Sequence, residues 1–192
     1  MTLSRLAVGV SILCAIGLPS TQVGAQVRDI DIADAAGNHC IPATPGVLTT
    51  LLIRATFEQL EPPGISFRIS GLPQDWFTQL TLGPLVSVAI GDVFGTGVQM
   101  SLSTCDPTLG STLLYQVDVV PASTDPATLS LLQHAANPNP DITCPCFLFG
   151  ACEPVYGWLC LNPGPRAVVG GTDDCAVGLR TMSWTAVRRL YE

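Results

Sequence analysis

The stretch Pro62-Pro63-Gly64-Ile65-Ser66-Phe67-Arg68-Ile69-Ser70-Gly71-Leu72-Pro73 decides the fold class. Ile65, Phe67 and Ile69 alternate with Ser66, Arg68 and Ser70. A side-chain period of two belongs to a β-strand with one buried face. Pro62-Pro63-Gly64 and Gly71-Leu72-Pro73 are turn residues that close the strand at both ends.

Working outward, the same alternation places Leu51, Ile53, Ala55 and Phe57 on one face and Arg54, Thr56 and Glu58 on the other. Val86, Val88 and Ile90 repeat it, as do Val98, Met100 and Leu102 against Gln99, Ser101 and Ser103. Leu113, Tyr115, Val117 and Val119 form a further apolar row. They are opposed by Leu114, Gln116, Asp118 and Val120, which predicts partial burial of both faces. Shorter candidate strands are 29–33, 76–82, 128–133, 155–161 and 166–169. About eight to ten short strands separated by turn residues, without strand–helix–strand alternation, predict an all-β fold: an antiparallel β-sandwich of the immunoglobulin-like or cohesin-like kind. Helical periodicity is confined to 183–191, where Ser183 can cap a turn carrying Trp184, Val187 and Tyr191 on one face. A short terminal helix docked through Trp184 is expected there.

The composition agrees. The chain has 192 residues, 47% of them apolar and only 12% charged, which suits one globular domain with a substantial core and argues against disorder. Its net charge is −7, and its eight basic residues, all arginine, form no cluster. Nucleic acid and anionic membrane surfaces are therefore not expected as partners.

Residues 1–25 carry the pattern of a secretory signal peptide. Arg5 is followed by an apolar run over 6–18, Pro19 breaks it, and Val23-Gly24-Ala25 offers small residues for cleavage after Ala25. The expected product is a single domain over 26–192, secreted or periplasmic, with no membrane span after processing. Within it, 137–175 is rich in Cys and Pro and reads as an extension of the same domain, being too short to build its own core.

Processing would leave Cys40, Cys105, Cys144, Cys146, Cys152, Cys160 and Cys175 in an oxidising compartment, where disulfides are the default. A four-thiolate zinc site built from Cys144, Cys146, Cys152 and Cys160 is the alternative. Its spacing fits poorly, because structural zinc sites use pairs with two to four intervening residues and here a single proline separates the first two thiols. The odd number implies one special thiol.

Other chemistry is sparse. Asp29, Asp31 and Asp34 precede Gly37-Asn38 and are weak candidates for a Ca²⁺ site, although their spacing departs from the EF-hand loop and Asp34 with Asn38 can instead cap a turn. Trp76, Tyr156 and Trp158 are weak candidates for an aromatic sugar platform, with core packing as the alternative. His39 and His134 lie in turn-like contexts without an adjacent nucleophile motif. The glycine-rich segment 91–97 joins two strands and reads as a hairpin loop, not a phosphate cradle. No cofactor is expected.

Two longer motifs carry a resemblance. Ala33-Asp34-Ala35-Ala36-Gly37-Asn38-His39-Cys40 and the terminal Trp184-Thr185-Ala186-Val187-Arg188-Arg189-Leu190-Tyr191 resemble uncharacterised secreted bacterial β-sandwich proteins. These open with A-D-A-x-G-x-x-C and end in W-x-x-V-[KR]-x-L-Y. More distantly, the middle strands resemble cohesin-like and immunoglobulin-like sandwiches, a likeness of architecture that implies no function. Together with chain economy, the resemblance implies pairs Cys40–Cys105, Cys144–Cys152 and Cys160–Cys175, with Cys146 as the odd thiol. The function expected is a non-enzymatic structural or recognition module of the cell envelope or extracellular space, meeting a protein or glycan at the cell surface. A carbohydrate-binding module is the alternative, and a secreted hydrolase has less support.

Overall fold

A computed structural model describes residues 29–56, 64–103, 111–137, 139–149 and 157–170. The expected signal segment and terminal helix, with Cys105, Cys152, Tyr156 and Cys175, lie outside these residues. The described residues form strands β1 (Asp29–Ala33), β2 (Cys40–Ile41), β3 (Thr49–Thr56), β4 (Gly64–Ser70), β5 (Phe77–Leu82) and β6 (Val86–Asp92). Along the chain come next β7 (Gly97–Leu102), β8 (Ser111–Val120), β9 (Ala127–Leu132), β10 (Cys146–Phe149), β11 (Gly157–Cys160) and β12 (Gly164–Val169).

Two sheets make an all-β sandwich. The smaller has the order β1-β3-β8-β5, and the larger runs β11-β10-β4-β9-β12-β2 with β7 and then β6 branching from β4. All pairings are antiparallel except β2 with β12, which run parallel. Ile65, Phe67 and Ile69 of β4 face inward and meet Ile30, Ile32, Leu51, Ile53, Val117 and Val119 of the smaller sheet, all fully or almost fully buried. Each such side chain contributes about 1.5–3 kcal/mol relative to leaving it in water.

Bulges change the inward row of two strands. In the β3–β8 pair, Ile53 faces Tyr115 but Arg54 faces Leu113, so Leu114 is an extra residue on β8. Leu114 and Tyr115 are consequently both buried, and the inward row continues through Leu114 where simple alternation expected Leu113. Gly83 fits against this bulge: its N–H donates to the Leu114 carbonyl at 2.9 Å, and a Cβ there would stand 1.8 Å from the Leu113 carbonyl oxygen. The second bulge lies between Val86 and Val88 in the β6–β7 pair. Beyond it Ala89 pairs with the inward Met100, so Val88 and Ile90 turn outward, 49% and 70% exposed, against the expected single row.

The Cys- and Pro-rich stretch supplies β10, β11 and β12 to the larger sheet. β10 is absent from the strands expected, because Cys146-Phe147-Leu148-Phe149 has no polar alternation and is only four residues long. Phe147 seats it, fully buried opposite Ile65. Cys144 is joined to Cys160, Cα atoms 5.5 Å apart, in place of the expected Cys144–Cys152 and Cys160–Cys175 pairs. The physical reason is the β10–β11 hairpin, whose register sets Cys146 opposite Cys160 and so brings Cys144 into diagonal reach. Cys146 is a free, buried thiol. Cys40 is disulfide-bonded.

Candidate functional site

The site arises where the sandwich is incomplete. β8 is flanked by β3 and β5, and cross-strand pairing makes inward-facing rows Leu51–Val117–Leu80 and Ile53–Tyr115–Leu82. Paired residues share a face. Leu51, Val117, Ile53 and Tyr115 are buried, yet Leu80 and Leu82 on the same inward face are 40% and 47% exposed. The larger sheet therefore does not cover β5.

β5 leads through the tight turn at Gly83, where the Val86 N–H donates to the Gly83 carbonyl, into β6, the outermost strand of the other layer. Among the described strands β5 pairs only with β8, and β6 only with β7. Each thus has one backbone edge without a strand partner among the described residues. Between the layers on this side lies a groove of about 480 Å³, walled by Trp76, Thr78 and Leu80 on one side and Asp92, Phe94 and Gly95 on the other.

The groove mixes apolar and polar groups and holds one charge. Asp92 is the only ionisable residue of its lining among the described residues; its carboxylate accepts the Phe94 N–H at 3.0 Å, which fixes the turn into β7. Tyr115, inward on β8, has its hydroxyl pKa raised by burial and then by the negative charge of Asp92. Trp76 is 4% exposed, and its indole N–H is buried without a hydrogen-bond partner. Such a donor stores an unmade interaction. Outside the groove, Phe77 on β5 and Val88 and Ile90 on β6 add exposed apolar surface. The arrangement can bind; its lining offers the amide of Gln74, the hydroxyl of Thr78 and the carboxylate of Asp92, but no imidazole or thiol.

The residues singled out from sequence are placed apart. Asp29 is paired with Arg166 at 2.7 Å, and Asp31 lies 3.3 Å from His39 Nδ1. Asp34 accepts the N–H groups of Ala36 and Asn38 and the Asn38 side-chain amide, all at 2.8 Å, bonds that lower its pKa. The three carboxylates thus serve three different partners, and no metal-ligating cluster occurs among the described residues. Trp76 is buried in the sandwich, whereas Trp158 on β11 is 43% exposed, so these two rings do not form one platform. His134 is buried, lies against Gly97 and accepts the Ala136 N–H at Nδ1, 3.1 Å away, which occupies the nitrogen a general base would use.

Sequence reasoning passes over Leu80, Leu82, Val88 and Ile90 as ordinary strand positions. Their exposure depends on what lies opposite them, and no local pattern records that. One signal is present: neither β5 nor the body of β6 carries a Lys, Arg or Pro, the residues that commonly guard a strand edge.

No protein-family model matches the chain, and no curated protein matches it. Among solved structures it is similar to a non-cellulosomal cohesin from the hyperthermophilic archaeon Archaeoglobus fulgidus, with 14% sequence identity and a TM-score of 0.34 over 57% of this chain and 80% of that one.

Proposed function

We propose that the protein is an exported, non-enzymatic recognition module that binds an extended polypeptide segment of a protein partner along the open side between β5 and β6. One observation carries this reading: among the described residues β5 and β6 each have an edge without a strand partner, and the inward-facing Leu80 is exposed in the groove lined from both, with Leu82 exposed further along the same face of β5. An added strand would take up the free backbone donors and acceptors, and its alternate side chains would enter the groove. Asp92 favours a basic residue at that end of the segment. Export rests on the signal-peptide pattern of residues 1–25 and supports a partner at the cell surface or in the periplasm. A glycan partner draws less support, since Trp76 is buried and Trp158 stands on a different strand.

The test is selection of a random peptide library displayed on phage against the wild-type protein, and then binding of the enriched peptides to Leu80→Asp and Ile90→Asp variants. Enriched peptides with alternating apolar residues and one basic residue, lost on Leu80→Asp, are the expected result. Absence of enrichment, or enriched peptides indifferent to both variants, overturns the proposal.

A further inference from the structure

We infer that the pocket around Arg68 binds the carboxylate of a small acid with an apolar body. Phe67 and Ile69 are buried in the core, so Arg68 between them projects from the opposite, outer face of β4. That position is a seam in the sheet. β10 pairs with Gly64, Ile65 and Ser66, and β9 pairs with Arg68, Ile69 and Ser70, so one partner strand ends near where the next begins. The seam opens into a pocket of about 330 Å³ whose wall includes Arg68, Leu132, Gln133, Ala135, Thr143 and Pro145.

Arg68 is half-buried and its Nε atom is buried without a hydrogen-bond partner. Among the described residues the ion pairs join His39 with Asp31 and Arg166 with Asp29, and none of those lining the pocket is an acid. A guanidinium held partly out of water with an unmade donor is unfavourable, and a carboxylate presented in its plane would meet it with charge-assisted bonds. One cation matches one negative charge. The net charge of −7 further disfavours a polyanion. Leu132, Ala135 and Pro145 supply an apolar wall for the body of the acid.

The pocket is also braced before any ligand arrives. Gln133 Nε2 donates to the Ile142 carbonyl at 2.7 Å, and the Leu161 N–H donates to the Pro145 carbonyl at 2.7 Å. Cys144, between the lining residues Thr143 and Pro145, is covalently tied to Cys160. A rim fixed in this way lowers the ordering cost of binding.

The experiment titrates hexanoate, hexylamine, inorganic phosphate and N-acetyl-aspartate amide into the ¹⁵N-labelled processed protein and monitors amide and Arg Nε–H shifts. Hexanoate is expected to shift Arg68 Nε–H and the amides of Gln133 and Thr143, while hexylamine does not. N-acetyl-aspartate amide, standing for an acidic side chain of a protein, and phosphate bind more weakly. Arg68→Gln lowers hexanoate affinity about tenfold or more, as loss of a charge-assisted pair requires. Ala135→Trp fills the pocket while keeping the cation, and is expected to lose binding as well; it decides the matter if Arg68→Gln fails to fold. Equal shifts with hexylamine, phosphate or N-acetyl-aspartate amide binding as tightly as hexanoate, or affinity unchanged in the folded variants, overturns the inference.

Discussion

β3 and β5 lie on either side of β8, pair with it antiparallel, and send leucine or isoleucine side chains toward the same interior, yet β3 is covered and β5 is not. Leu51 and Leu80 are two strands apart in one row, and so are Ile53 and Leu82. The difference teaches that alternation decides which way a side chain points, whereas burial depends on whether the second layer reaches that far. A recognition surface can arise where an inward face outruns its cover.

The sharpest way to break this comparison is to truncate both ends of one row. Ile53→Ala should destabilise the fold by about 2–4 kcal/mol, because it empties a filled core position. Leu82→Ala should cost less than about 1 kcal/mol, since much of its side chain already meets water. Urea unfolding of the two variants measures this, and equal costs would show that β5 is as covered as β3.

Next in size is Gly83→Ala, at about 1–3 kcal/mol, because the new methyl would collide with the backbone of the β8 bulge. If that variant unfolds at the wild-type urea midpoint, the turn does not fix β5 against β8. A third test uses pH on the covered side. Burial pushes the Cys146 thiol up to about 11 from its ordinary 9.0. A pKa raised in the folded state means the native protein holds the proton longer, so this contribution is complete below about pH 9 and is lost as pH rises through about 11. Thermal unfolding across that window should show the loss in wild type and a smaller loss in Cys146→Ala. The smallest effect is expected on the open side: Leu80→Thr and Ile90→Thr should each change stability by less than about 0.5 kcal/mol. They should also reduce binding of the hydrophobic dye ANS, and unchanged dye binding would place the exposed apolar surface elsewhere.

Much of the sandwich is legible in the sequence because its strands announce themselves by period two between turn residues. The segment Ile65 to Ile69 and the row Leu51, Ile53 and Ala55 read directly as strands with the observed inward faces, although Ser66 on the other face of β4 is buried as well, and residues 29–33 read as a strand. The reading fails where geometry breaks the period. An extra residue at Leu114, and a bulge between Val86 and Val88, each reverse the phase of the residues beyond them, and nothing local marks either. β10 escapes because a short strand with Cys146 and Phe147 both buried has no polar alternation to reveal it. The disulfide partner of Cys144 depends on hairpin register, which no spacing rule encodes. The open groove is illegible for a different reason: Leu80 and Leu82 look like Leu51 and Ile53 until the opposite layer is in place.

The β10–β11 hairpin is short, with four paired positions. A slip of two residues between these strands would keep every side chain on its own face, so the apolar pattern by itself is a weak guard against it. The cross-link from Cys144 to Cys160, made with Cys146 directly opposite Cys160, bars the slip that would carry Cys144 further from Cys160. The bond thus works as a one-sided stop, holding the start of β10 to the end of β11 while the buried faces settle their own alignment.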